Sequence, residues 1–132
     1  MDIKLIQLQK HGDERGKLVA LEETKNIPFP IKRVYYMFET CDEVRRGFHA
    51  HYKLRQLAIP VRGSCRIILD DGIEKIEVYL DNPAQGLSID PMIWHEMYDF
   101  SSDCVLMVLA DDFYNESDYI RDYEAFISEA AK

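Results

Sequence analysis

The chain has 132 residues, 24 acidic against 16 basic, giving a net charge of −8 at pH 7, with 47% hydrophobic and 30% charged residues. That is one domain's length, able to bury about two-thirds of the surface its unfolded form exposes without a disulfide or structural metal, and its hydrophobic content excludes general disorder. The acidic balance disfavours nucleic acid and anionic membranes as partners, so an anionic ligand has to be met by a local group of cations.

Such a group is present. Arg33, Arg45, Arg46, Arg55, Arg62 and Arg66 fall within a third of the chain, and a guanidinium fork holds two phosphate oxygens at once. Cys41, Cys65 and Cys104 are widely spaced with no CxxC step, which predicts reduced thiols in a cytoplasmic protein rather than a disulfide frame or a zinc knuckle. The N-terminus lacks the basic and apolar regions of a signal peptide, and the longest apolar run, "CVLMVLA", is too short to span a bilayer.

In chain order, a strand is expected at about 3–10, and "IKRVYYMF" alternates as a half-buried strand does. "SCRIILDDGIEKIEVYL" reads as a hairpin turning at Asp71-Gly72 through a tight primed turn. Further strands are expected over Gly86–Ile89, Ile93–Tyr98 and Cys104–Ala110. Then the period changes: Ile120, Tyr123, Phe126 or Ile127, and Ala130 recur every three or four positions, predicting a helix over about 117–130 capped by Asn115 or Ser117. About nine short strands and one terminal helix predict a single all-β domain over residues 1–132, a barrel or sandwich closed by a short C-terminal helix.

"RRGFHAHYKLRQLAIPVRG", residues 45–63, holds two of the four histidines. His49 and His51 share one face of a strand with Cβ atoms roughly 6.5–7 Å apart, while Ala50 faces the other way. Two imidazoles on one face point to metal ligation or to proton transfer. Neutral imidazole is a common ligand of first-row transition metals, and its pKa near ~6.5 also suits it to take and return a proton at neutral pH.

"GFHAHYKLRQLAIPVRG" resembles the first motif of the cupin superfamily: a glycine, HxH, a glutamate four or five residues on, and a second glycine seven residues after that. Here the glutamate position holds Gln56, seven before Gly63. "GLSIDPMIWHEMYDF" supplies Gly86, Pro91 and His95 of the second motif. Without the carboxylate the donor set is neutral, so a metal-free site is expected, with no cofactor.

The blocks "DERGKLVALEETKNIPFPIKRVYYMF", "RRGFHAHYKLRQL", "GSCRIILDDG" and "WHEMYDFSSDCVLMVLADDFYNESDYIRDYEAF" resemble the dTDP-4-keto-6-deoxyglucose 3,4-ketoisomerases over about residues 3–127. The resemblance implies a small metal-free cupin, a jelly-roll barrel or sandwich, working as a homodimer that exchanges its N-terminal strands. Its substrate would be a dTDP-linked 4-keto-6-deoxyhexose, isomerised through an enediol or enediolate to the 3-keto sugar, galacto at C4. The products of such enzymes enter deoxyamino sugars of surface glycans such as lipopolysaccharide or S-layer glycan.

On this pattern His49 is the base at C3 and His51 moves the second proton. Arg33, Tyr35 and Arg46 are the candidate donors to the C4 oxygen. Arg15, Arg33, Arg46 and Arg62 are candidates for the diphosphate, Tyr35, Tyr36 or Trp94 for thymine, and Gln56 and His95 complete the substrate-binding set. His95 is expected to support or bind rather than react, and His11 to be an exposed loop residue. Three alternatives stay open: a 3,5-epimerase acting on the same sugar nucleotide, a metal-dependent cupin enzyme, and a sugar-nucleotide-binding module without turnover.

Overall fold

The computed structural model describes residues 1–132 as two five-stranded antiparallel sheets packed face to face. The strands are β1 (Leu5–Gln7), β2 (His11–Asp13), β3 (Gly16–Leu18), β4 (Arg33–Met37), β5 (Arg46–His51), β6 (Gln56–Arg62), β7 (Cys65–Asp70), β8 (Lys75–Leu80), β9 (Gln85–Ile89), β10 (Trp94–Tyr98), β11 (Val105–Ala110) and β12 (Tyr119–Ile120), followed by helix α1 (Tyr123–Ala130). The first sheet runs β1-β9-β6-β11-β4 and the second β12-β5-β10-β7-β8, with β2 and β3 forming a separate hairpin. The sheets do not close, so the jelly roll is a sandwich rather than a barrel.

Alternation sorts the side chains into three apolar layers. Between the sheets lie Ala58, Leu87, Ile89, Leu106 and Val108 of the first and Cys65, Ile67, Leu69, Val78, Leu80 and Met97 of the second. The outer face of the first sheet presents Leu57, Ile59 and Leu109, covered by Leu8, Ile27 and Phe29. The outer face of the second presents Ala50 and Trp94, covered by Ile120 and Phe126. Strand β6 is therefore apolar at successive positions, Leu57 to Pro60, because both of its faces are buried. Pro60 is tolerated there because β9 pairs only with Gln56, Leu57 and Ala58, so no partner on that side needs its missing N–H.

Two local expectations are corrected. The hairpin at Asp71-Gly72 forms, but Asp70 pairs with Lys75 and the loop has four residues rather than two. Asp71 Oδ1 accepts the N–H groups of Ile73 and Glu74 at 2.9 and 3.0 Å, which stabilises the longer loop. The C-terminal helix spans Tyr123–Ala130 instead of 117–130, and its cap is Asp122, whose side chain accepts the N–H of Ala125. Asn115 caps only a 3₁₀ turn over Glu116–Asp118. Tyr119 and Ile120 then pair with His51 and Ala50 as an edge strand, where the β-sheet hydrogen bonds compete successfully with helix formation.

Phe126 is the fully buried residue that seats α1 on β5 and β10. Phe126→Ala is expected to lower stability by about 3–5 kcal/mol, read as a shift in the urea midpoint at constant slope; an unchanged midpoint would place the helix outside the cooperative unit.

Candidate active site

The site lies between the inner faces of the sheets, and each sheet contributes a different chemistry. Strands β5 and β10 bring His49, His51 and His95 together, with ring centroids 5.0 Å apart for His49 and His51 and 4.5 Å for His49 and His95. His95 pairs directly with His49 across the strands and is fully buried. From the facing sheet, β4 supplies Arg33 and Tyr35 and β6 supplies Gln56.

A bulge aims β5. His49 pairs with His95 but Gly47 pairs with Glu96, so Phe48 is the extra residue. Gly47 and Phe48 take φ of 92° and 60°, and a Cβ at Gly47 would stand 2.8 Å from the backbone oxygen of His95, so only glycine fits at Gly47. Simple alternation would send Arg46, three residues before His49, to the opposite face. The bulge resets the alternation, and Arg46 joins Arg33, Tyr35, Tyr36, His49 and Tyr119 around one cavity of about 310 Å³.

The hydrogen bonds fix the tautomers. His49 Nδ1 is 3.0 Å from the carbonyl of Gly47, and His95 Nδ1 is 3.2 Å from that of Ile93. A carbonyl only accepts, so each Nδ1 carries the proton and each Nε2 is left with a bare lone pair. Both nitrogens of His51 are buried without a partner, as is Nε2 of His95. Burial, together with the neighbouring His49, Arg33 and Arg121, pushes His51 down to about 3. Burial does the same to His95, also to about 3, with His49 and His51 adding to the effect. His49 is lowered too, mainly by burial. All three therefore stand neutral at pH 7.

Across the cleft, Gln56 Nε2 donates to the Tyr35 hydroxyl at 2.6 Å. Burial pushes that phenol up to about 12, so it remains an O–H donor. Arg33 and Arg46 have no carboxylate within 4 Å, whereas Arg15, Arg45, Arg62, Arg66 and Arg121 are all ion-paired. Two unpaired guanidiniums beside one cavity are suited to an anionic ligand.

The structure does not bring Arg15 and Arg62 to the cleft. Arg15 sits at the β2–β3 turn with its side chain 86% exposed, paired to Asp13. Arg62 lies six residues along β6 from Gln56, roughly 20 Å away, and is paired with Asp103. Trp94 is also corrected: it is buried under α1 with Nε1 bonded to Glu96 and offers no face to a nucleobase. His11 is exposed on β2.

Tyr119 and Asp118 went unnoticed in the sequence. The Tyr119 ring lies 4.9 Å from His49 and 4.3 Å from His51. The signal available was Asp122 as a second helix cap, which releases Tyr119-Ile120 for pairing with the histidine strand.

The cupin frame raises the question of a cation. The ring nitrogens of His49, His51 and His95 lie within 4.8 Å of one another, a spacing that could accommodate one cation. Gln56, in the acidic ligand position, is a neutral amide engaged with Tyr35. The set is therefore neutral and lacks the carboxylate that would offset a divalent charge, and no chemical step is derived through an ion.

The sandwich with a histidine-lined cleft is that of a small cupin-type enzyme. The family model described as WxcM-like, C-terminal (FdtA) matches residues 1–131. The chain is 59% identical, over 100% of its length and 95% of the relative's, to the TDP-4-oxo-6-deoxy-alpha-D-glucose-3,4-oxoisomerase of Aneurinibacillus thermoaerophilus. Among solved structures it is similar to a 3,4-ketoisomerase from Helicobacter canadensis, with 45% identity and a TM-score of 0.96, covering 100% of this chain and 99% of the other. It is similar again to a sugar 3,4-ketoisomerase from Thermoanaerobacterium thermosaccharolyticum in complex with TDP, with 43% identity and a TM-score of 0.96, covering 98% and 94%. The chain belongs to the WxcM-like, C-terminal family, and it is an isomerase of the 3,4-ketoisomerase kind.

Because His51 and His95 are buried neutral, the unfolded chain binds more protons than the folded one between pH 6.5 and about 3. Their contribution is complete above that window and is lost as pH falls through it. The urea midpoint is expected to fall steadily between about pH 7 and pH 5; a midpoint constant over that range would contradict neutral burial.

Proposed function

We propose that the enzyme converts dTDP-4-keto-6-deoxyglucose into its 3-keto isomer by histidine acid–base chemistry, without metal or organic cofactor. The observation that carries this reading is the bare Nε2 of His49, locked by the Gly47 carbonyl and turned toward a cavity shared with Tyr35, Arg33 and Arg46. The complex of its T. thermosaccharolyticum relative with TDP supports a TDP-linked ligand.

The C4 ketone acidifies the hydrogen on C3. His49 Nε2 takes that proton, the C–H electrons form the C3–C4 double bond, and the former carbonyl oxygen on C4 takes up the negative charge. The Tyr35 O–H, with Arg33 and Arg46 beside it, donates to that oxygen; loss of one such donor typically costs about 2.7–4 kcal/mol of barrier. His51 carries the proton of the C3 hydroxyl to the C4 oxygen, leaving a hydroxyl there; as the C3 oxygen re-forms a carbonyl, the double-bond electrons at C4 take a proton back from the His49 imidazolium. His95, fully buried beneath His49, supports the ring rather than reacting.

The histidines occupy one wall of the cleft, and Tyr35 and Gln56 the other. In the gluco substrate the C3 hydrogen lies on the face from which C4 must be protonated to give the galacto product. Removal and return from one wall therefore favour galacto. Deoxyamino-sugar biosynthesis is the use such a 3-keto sugar would have. Arg33 and Arg46 bind the diphosphate, and Tyr36, on the cavity rim, is the remaining candidate to stack on thymine. We also propose a cytoplasmic homodimer, supported by free cysteines and by the exposed apolar residues Val34 and Tyr36 on edge strand β4 and Phe38 just after it. In that dimer β1, which here pairs with β9 of its own chain, is exchanged between subunits.

Protein stripped with EDTA is expected to retain full turnover of dTDP-4-keto-6-deoxyglucose; activity lost on chelation and restored by a divalent ion would overturn the metal-free mechanism, and binding without turnover would make the chain a binding module. In the product formed in ordinary water, proton NMR is expected to show a small H4–H5 coupling, that of an equatorial H4. A large diaxial coupling would assign the gluco product and delivery from the opposite wall.

A further inference from the structure

One charged group beside the histidines has no part in the chemistry above. Asp118, in the 3₁₀ turn before β12, places Oδ2 3.6 Å from Nδ1 of His51, the one carboxylate within 4 Å of that ring, and its side chain is only 16% exposed. Neither ring nitrogen of His51 has a hydrogen-bond partner. The carboxylate is held in place: Oδ1 accepts the N–H of Lys53 at 3.0 Å and Oδ2 that of Leu54 at 3.1 Å. The Asp118 carbonyl also accepts the N–H of Tyr52 at 3.0 Å. All three residues that follow His51 are thus tied to Asp118.

The surroundings of His51 otherwise disfavour a positive charge. They comprise the imidazoles of His49 and His95, the ring of Tyr119, and the guanidiniums of Arg33 and Arg121. Glu116 is already bonded to Arg121 through both oxygens, and Asp111, on the rim of the adjoining cavity of about 290 Å³, accepts the N–H of Arg55. A neutral imidazole that must take a proton in this setting needs an anion on its far side.

We propose that Asp118 is a positioning residue for the isomerisation. It holds His51 in the tautomer with Nδ1–H toward the carboxylate and Nε2 bare toward the cleft, and closes to a charge-assisted hydrogen bond when His51 takes a proton. The inference rests on the histidine mechanism proposed above. A carboxylate only accepts, so it selects the Nδ1–H form as the Gly47 carbonyl does for His49. When Nε2 gains its proton, both nitrogens carry hydrogen and the carboxylate stabilises the imidazolium without itself being protonated. The 3.6 Å separation belongs to the substrate-free site, where catalytic hydrogen bonds are often long and tighten on binding.

The competing role is purely local, with Asp118 serving only to anchor residues 52–54. Nitrogen-15 NMR of histidine-labelled protein at neutral pH separates the two: a protonated Nδ1 and bare Nε2 on His51 are expected, and an Nε2–H tautomer would overturn the proposal even if no variant folded. Asp118→Asn keeps the shape but only one of the two acceptor oxygens for the loop, and is expected to lower kcat by about 10–100-fold with KM little changed, beside a lowered thermal midpoint from the lost loop acceptor. Wild-type kcat with a lowered midpoint would reduce Asp118 to a loop anchor. His51→Asn, measured in parallel, separates the two levels of the argument: loss of activity there with full activity in Asp118→Asn overturns only the role of Asp118, whereas full activity in His51→Asn overturns the mechanism on which it rests.

Discussion

The hydrogen bond from His49 Nδ1–H to the carbonyl of Gly47, 3.0 Å long, is the contact on which the rest of the site depends. It exists because β5 bulges at Gly47-Phe48, and the bulge exists because a residue without a Cβ can lie against the backbone oxygen of His95. That local geometry fixes a tautomer, aims a lone pair into the cleft and turns Arg46 inward beside it. A change of one side chain at Gly47 would disturb all three.

The two sheets divide the chemistry between them. The histidine sheet offers bare nitrogens that accept protons, kept neutral by burial among apolar strands. The facing sheet offers donors, a phenol held protonated by burial and the guanidinium of Arg33, while the second guanidinium without a carboxylate partner, Arg46, comes from β5 beside the histidines. A carbonyl shift between adjacent carbons requires both, a base at one carbon and a donor at the neighbouring oxygen. With them on opposite walls, the substrate ring of the proposed mechanism lies between base and donor, and that mechanism draws both proton transfers from a single wall.

Much of this was legible in the sequence, because HxH spacing on a strand puts two imidazoles on one face whatever the rest of the fold does. Gln56 in place of an acidic ligand was equally legible. The sequence was less informative where backbone geometry overrides alternation. Arg46 reaches the cleft only through the bulge, and Arg62 lies at the far end of β6, paired to Asp103. Tyr119 and Asp118 were hidden because the apolar spacing from Ile120 onward fits a helix as well as a strand followed by a shorter helix. Pairing of Tyr119 with His51 settles that choice, and such a long-range contact leaves no local periodicity. Arg15 lies at the turn of a hairpin separate from both sheets, where the order of residues gives no hint of its distance from the cleft.

The central claim is that His49 removes the C3 proton, and isotope exchange at that carbon tests it most directly. Incubated in D2O, the wild-type enzyme is expected to incorporate solvent deuterium at C3 of recovered dTDP-4-keto-6-deoxyglucose or at C4 of the product, whereas His49→Asn incorporates none while still binding dTDP. Incorporation at the wild-type rate in His49→Asn would contradict the account and move the base elsewhere in the cleft.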